Sequence, residues 1–206
     1  MNQKVIEIAK ILRNYARDNI FWVWRFALFE ADVDDMCRIE PKIAVKYRFG
    51  DLSDIDRLDM EHHEYDAEAR KFAFERLQYG DKVVLGFHND RVIFYLWLMF
   101  GMMDIHYRNY IPISPNRVYA YKGFTVKEYR GNYVLAGAYP MVVKYIKQMG
   151  YDRIIAYIHV RNHPSIRSAF TVGYHLIGNI FKIRIVSNIR CIMNAKIRGK
   201  IQKSGD

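Results

Sequence analysis

The chain has 206 residues, a net charge of +10, and a sequence that is 51% hydrophobic. This length suits one domain with an extension, and the composition excludes a disordered chain. Cys37 and Cys191 are the only cysteines and lie far apart, outside metal-ligand spacing. That excludes a disulfide scaffold, leaves no thiolate metal set, and suits a reducing cytoplasm.

Residues 4–29 carry apolar groups at Val5, Ile8, Leu12, Tyr15, Trp22, Val23, Phe26 and Phe29. The three- and four-residue spacing predicts an amphipathic helix, so residues 1–40 are read as a helical extension to a domain spanning 41–206. Such a helix packs on its own domain, forms a homodimer contact, or lies on a membrane surface through Trp22 and Trp24. No uninterrupted apolar segment of a secretory signal is visible near the start. A cytoplasmic protein is expected, with peripheral membrane contact as the alternative.

After the acidic link ADVDD and Pro41, IAVKYRF (43–49) reads as a strand. Residues 53–80 hold one or two helices, with Ser53 or Asp54 as N-cap and Gly80 as the stop. DKVVLGFHNDRVIFYLWLMF then gives two strands around a hairpin turn at His88–Arg91. The apolar run from Val92 to Met103 is too short to span a bilayer and reads as a buried strand and its turn. Residues 117–126 form the next strand, followed by a helix to Gln148 or Met149. A strand over 152–160, a short helix over 163–173 and two closing strands complete the chain. The order predicts an α/β protein with a mixed sheet covered by helices.

Charge is unevenly placed along this order. Residues 129–206 contain thirteen lysines and arginines against two acids, a net +11. An anionic partner is expected there: a polyphosphate cofactor, an acidic carrier protein, nucleic acid or anionic lipid.

Three features fall in the same half. Arg130-Gly131 lie between the strand VYAYKGFTV and the helical run, where free N–H groups and the helix dipole favour phosphate. A helix-length interval leads to Gly150-Tyr151. VRNHPSIRSAFTVGY then presents Asn162, Ser165, Gly173 and Tyr174. In this order and spacing, residues 125–174 resemble the GNAT (Gcn5-related N-acetyltransferase) superfamily.

The resemblance implies a GNAT-like fold and an acyl-CoA-dependent N-acyltransferase, with acetyl-CoA the first expected donor and an amine-bearing acceptor. It implies that coenzyme A meets Thr125, Val126, Arg130, Gly131, Asn132, Tyr133, Val134, Leu135, Asn162 and Ser165. Pyrophosphate would lie on the loop at the helix start, and the pantetheine arm between the ends of the strands over 117–126 and 152–160.

The sequence departs from the family pattern in four places. Tyr133 and Leu135 replace small residues of the phosphate loop. Pro140 falls inside the expected helix, so either the helix tolerates it with a kink or it starts near Tyr139; the interval from Gly131 to Gly150 favours the first. No acid lies between Arg117 and Val126 to serve as base. Ala169 stands where the family places a tyrosine acid.

His159, near the end of its strand, is the candidate catalytic base; the plain alternative is a strand-end histidine satisfied by hydrogen bonds. MEHHEYDAE (60–68) lacks metal-site spacing and reads as a solvated acidic helix face that could meet a cationic amine. Asp104, His106, Tyr107 and Arg108 are further acceptor-side candidates. Two other readings stay open: an acyltransferase using an acidic acyl carrier protein, and a non-catalytic module on membrane or nucleic acid. The sequence carries no nucleic-acid-binding fingerprint.

Overall fold

A computed structural model describes residues 21–106, 109–185 and 188–194. Its frame is an eight-stranded sheet in the order β10-β9-β1-β8-β7-β4-β3-β2. The strands are β1 (Phe21–Asp32), β2 (Lys46–Gly50), β3 (Lys82–His88), β4 (Arg91–Phe100), β7 (Arg117–Thr125), β8 (Arg153–His159), β9 (His175–Ile185) and β10 (Asn188–Asn194). A separate hairpin pairs β5 (Met102–His106) with β6 (Asn109–Pro112). The helices are α1 (Leu52–Ile55), α2 (Met60–His63), α3 (Ala67–Gln78), α4 (Val134–Gln148) and α5 (His163–Thr171).

Alternate residues of the central strands feed two cores, the expected consequence of the strand's two-residue period. Val118, Ala120 and Ile154 join α4 and α5 residues on one face. Tyr119, Tyr121 and Ile155 join Ile55, Leu58 and Ala73 of the α1–α3 region on the other. The hairpin expected at His88–Arg91 forms with Asn89 and Asp90 both at positive φ, 48° and 60°. That is the conformation of a two-residue turn matched to strand twist.

The N-terminal expectation is overturned where it can be seen. Residues 21–32 form β1, antiparallel to both β8 and β9, so they are integral to the sheet and no helical appendage. FWVWRFALF is rich in aromatic residues suited to strands. From Ala27 to Ala31 every residue is buried, and a strand enclosed on both faces loses the alternation that identifies it in sequence. Residues 4–20 of the expected helix lie outside the described residues. No described helix is long and apolar enough to cross a membrane.

The α4 start is fixed from β2. Tyr47 donates to the carbonyl of Val134 at 2.7 Å, and Gly137 passes close against Pro41 and Tyr47. Pro140 lies within a continuous helix from Val134 to Gln148, as the sequence interval suggests.

A candidate acyl-CoA cleft at the start of α4

The key local feature is a parting of parallel strands. β7 and β8 pair only at Arg117–Arg153, Val118–Ile154 and Tyr119–Ile155. Beyond this, β8 stays with β1 as far as His159 while β7 stays with β4. A bulge strengthens the divergence: Tyr95 pairs with Phe124 and Trp97 with Tyr121, so Leu96 faces both Lys122 and Gly123. Lys122 takes φ 47° there. Bulges of this kind bend the strand and disrupt its ladder. The side of β7 turned toward β8 therefore offers backbone groups that no strand occupies.

Next to the parting lies a cavity of about 510 Å³. β7 contributes Phe124 and Thr125, the loop before α4 contributes Arg130, Gly131 and Tyr133, and α4 contributes Val134 and Leu135. Asn162, Ser165, Ser168 and Thr171, three residues apart along α5, line the opposite wall. Gly131 has φ 82°, and a β-carbon there would meet nothing within 4 Å. Its requirement is conformational, since glycine takes positive φ without penalty. Tyr133 also adopts the left-handed conformation, φ 57°, while half-exposed.

Side-chain caps distinguish this helix start from the others. Asp51, Asp59, Asp66 and Asn162 accept backbone N–H groups at the starts of α1, α2, α3 and α5. α4 has no side-chain cap. Its first-turn residues Val134, Leu135 and Ala136 line the cavity, at the positive end of the helix dipole. Arg130 sits beside them, its Nε donating to the Thr125 carbonyl at 2.9 Å and its guanidinium 5.4 Å from the Phe124 ring centre. The amide of Lys42 donates to the Asn132 carbonyl, and its ammonium lies 5.0 Å from the Tyr133 ring centre. A flexible anionic ligand fits this wall: an uncapped helix start and the Arg130 cation at one end, hydroxyls along one side and an unpaired strand edge at the other end.

The structure brings Thr125, Arg130, Gly131, Tyr133, Val134, Leu135, Asn162 and Ser165 together around the cavity. Val126 does not line it: the residue is buried and donates its N–H to the Ile93 carbonyl. Asn132 is turned inward, donating through Nδ2 to the Tyr129 carbonyl at 3.2 Å. Asn162 has its Oδ1 committed to the Ser165 amide, leaving Nδ2 to reach a ligand. Ser168 and Thr171 escaped the sequence reading, although their spacing from Asn162 along α5 was visible.

His159 lies on the other side of the sheet with Tyr157 and Phe26, its ring edge-on to Phe26 at 5.2 Å, and outside the cavity lining. Its Nδ1 accepts the Arg161 amide at 3.1 Å. A neutral imidazole in that arrangement carries its proton on Nε2. That leaves no free lone pair for base catalysis. Tyr157 stacks on Tyr119, receives a hydrogen bond from Lys182 and donates to the Asp104 carbonyl at 3.0 Å. Lys122, against the Phe72 ring at 4.1 Å, has its pKa lowered by desolvation despite nearby Asp104, Asp66 and Glu68.

The acidic segment is also less solvated than its composition suggests. His63 is 3% exposed, accepts the Asp59 amide through Nδ1 and donates through Nε2 to the Val92 carbonyl at 2.9 Å. Glu64, the next residue, lines the cavity. Tyr174, read as core, is buried with its hydroxyl 3.2 Å from that of Tyr139. Asp104 lies in the middle of β5 and His106 ends it, whereas Tyr107 and Arg108 lie outside the described residues.

No protein-family profile matches the sequence, and no curated protein matches it. Solved structures do. An acetyltransferase from the GNAT family of Colwellia psychrerythraea superposes with a TM-score of 0.59 at 10% identity, over 82% of this chain and 59% of that one. This is the GNAT fold. A putative GNAT-family acetyltransferase from Novosphingobium aromaticivorans is similar at TM-score 0.54 and 15% identity, covering 78% of this chain and 63% of its own. AAC(6')-Iy, in complex with the bisubstrate analogue CoA-S-monomethyl-acetylneamine, is similar at TM-score 0.51 and 13% identity, over 63% and 90%. A functionally unknown conserved protein from Staphylococcus epidermidis is also similar, at TM-score 0.57 and 7% identity over 90% of this chain and 68% of that one. In the present chain the fold carries β1 between β8 and β9, with β10 outermost.

Proposed function

We propose that the protein is an N-acyltransferase that moves an acyl group, acetyl in the first instance, from coenzyme A to an amine. The observation that carries this is the uncapped start of α4 opening into a cavity beside parted parallel strands. The coenzyme's phosphates lie on the first-turn amides between Arg130 and Lys42. The pantetheine arm follows the free edge of β7, and the α5 hydroxyls line its other side. The acyl carbonyl then sits where β7 and β8 separate.

There the neutral amine attacks the thioester carbon, the C–N bond forms, the C–S bond breaks, and the proton released by the nitrogen passes through water to the departing thiolate. Oxyanion stabilisation by preorganised donors is the dominant need of such a step. The exposed β7 amides supply it, and His159 acts through Nε2–H as a donor at the acceptor side. The bulky Tyr133 reshapes the phosphate site while leaving its amides in place, so the cradle is altered but usable.

Calorimetric titration with acetyl-CoA and with octanoyl-CoA tests this reading, alongside Gly131→Trp. Micromolar binding by the wild-type chain, abolished in a variant with unchanged circular dichroism, supports it; the preferred chain length then narrows the donor. Binding of neither thioester overturns it and directs attention to an acyl carrier protein, then to nucleic acid and lipid.

A further inference from the structure

Lys122 holds a backbone conformation that its residue type does not favour. It is the first of the two β7 residues that face Leu96 across the bulge, and its φ is 47°. A left-handed first position in a bulge usually belongs to glycine, because a β-carbon is penalised there. A glycine does follow, but Gly123 answers a different need: a β-carbon there would lie 3.2 Å from Leu96 Cδ1. The chain therefore bears the backbone cost at a lysine. Strained non-glycine residues of this kind gather at functional sites.

The surroundings change the chemistry of the amine. Its Nζ lies 4.1 Å from the centre of the Phe72 ring, on α3. Asp66 and Glu68, at the start of α3, and Asp104, on β5, all favour the charged ammonium. Desolvation outweighs the three carboxylates and lowers the pKa from the ordinary 10.5. Lysine shifts readily in this way, and the neutral amine that results is a nucleophile.

The place on β7 sets what that nucleophile can meet. The last β7–β8 pair is at Tyr119 and Ile155, so Lys122 stands on the free stretch of β7, about 10 Å past the parting. Gly123, beside it, already lines the cavity. A pantetheine arm that follows the free edge of β7 carries its thioester past the Lys122 backbone. The side chain is exposed enough to turn on its flexible four-carbon stem.

We propose that Lys122 is a self-acylation site, its side-chain nitrogen taking the acyl group from coenzyme A bound in the cleft of the same chain. The proposal rests on the N-acyltransferase reading and adds a modification site to it. Neutral Nζ attacks the thioester carbon, the C–N bond forms and the C–S bond breaks. The proton released by the nitrogen passes through water to the departing thiolate, leaving an Nε-acyl-lysine and free coenzyme A. The amide is stable and uncharged, so it marks the chain and is no turnover intermediate.

Purified protein is incubated with acetyl-CoA, and the acetylated residues are mapped by peptide mass spectrometry over time. Lys122 should be acetylated about tenfold faster than the exposed Lys46, Lys71, Lys127 and Lys144, through its larger neutral fraction and the bound donor. Its rate should also level off at lower pH than theirs, since a depressed pKa is passed sooner as pH rises. Gly131→Trp should bring Lys122 down to the rate of the other lysines.

Lys122→Arg keeps a cation over Phe72 but takes no acyl group, so it should fold and bind acetyl-CoA as wild type does while no acetyl appears at position 122. Acetyl-CoA binding in calorimetry without preferential acetylation of Lys122, or preference that survives Gly131→Trp, overturns the proposal and leaves the cofactor reading standing. Failure of acetyl-CoA to bind wild-type protein is a different result, which removes the cofactor reading and the proposal with it.

Discussion

The Tyr47 hydroxyl, on β2, donates a 2.7 Å hydrogen bond to the carbonyl of Val134, the first residue of α4. The same ring packs edge-on to Phe94 at 6.3 Å, so one side chain ties an outer strand, the core and the start of α4. Burial pushes the Tyr47 phenol well above its ordinary pKa, with Glu40 adding to the effect; it stays a neutral donor at physiological pH. Tyr47→Phe keeps the ring and removes only the hydrogen bond. It should cost about 1 kcal/mol of stability, read by urea denaturation, and weaken acyl-CoA binding by loosening the turn. Unchanged midpoint and affinity would show that the contact neither holds the helix nor positions its amides.

Gly137 and Pro140, three residues apart on α4, should respond in opposite directions to alanine. A β-carbon at Gly137 would fall 2.7 Å from the Tyr47 hydroxyl and closer still to Pro41 Cγ. Both neighbours must move, so Gly137→Ala should lose about 1–3 kcal/mol through overpacking, despite alanine's better helix propensity. Pro140 is exposed inside the helix, denying the Ala136 carbonyl its usual donor. Pro140→Ala should therefore gain up to about 3 kcal/mol, measured by the same denaturation. Stabilisation by Gly137→Ala would show that the helix can shift away from Pro41.

The bulged stretch of β7 is anchored by a buried polar network. Asp81 receives Arg76 Nε at 2.8 Å and Nη2 at 2.7 Å, and Tyr121 donates to it at 2.7 Å. Burial and the adjacent Asp81 carboxylate push the Tyr121 phenol strongly upward, so it remains a donor. Asp81→Ala leaves Arg76 charged and buried and should cost about 3–5 kcal/mol. Replacing Arg76 and Asp81 together by Met and Leu should recover most of that loss in thermal melts. A double variant no better than the single one would place the energy elsewhere than in the stranded charge.

Where local rules and tertiary context agreed, the sequence was legible. Gly80, Gly150 and Gly173 all take positive φ just beyond the helices they end, and the Asn89-Asp90 turn sits where it was expected. Arg130, Gly131, Tyr133, Val134 and Leu135 were legible as one group because they are nearly contiguous, and they line one wall of the cavity. Val126 lies outside the cavity lining, and its inward backbone bond to Ile93 leaves no trace in residue type. β1 was misread because helical spacing in FWVWRFALF arises by accident, and from Ala27 onward the strand is buried on both sides and loses its alternation. Glu64 falls within the acidic segment 60–68 that the sequence singles out, and its place in the cavity lining goes with the tertiary anchor of His63 to Val92 on β4.

Asp59 makes that anchoring sensitive to acid. Its carboxylate accepts the His62 amide at 2.7 Å and lies near the His62 ring; the amide bond, followed by the His62 side chain and nearby histidine charge, lowers its pKa to about 2. The folded value is below the ordinary 3.8, so the contribution is fully present above about pH 4. It disappears as the carboxylate protonates between about pH 4 and pH 2. Asp59 is half-exposed, so solvent screens the charge part, and the capping bond carries most of the effect. Asp59→Ala should therefore cost about 1 kcal/mol at neutral pH and flatten the acid limb of stability against pH over that window. Amide hydrogen exchange over residues 59–66 should rise in Asp59→Ala at neutral pH and in wild type only as pH falls below about 4. A wild-type acid limb that survives the substitution unchanged would assign acid sensitivity to other carboxylates, with Asp54, whose pKa is lowered by Arg48, the first to replace.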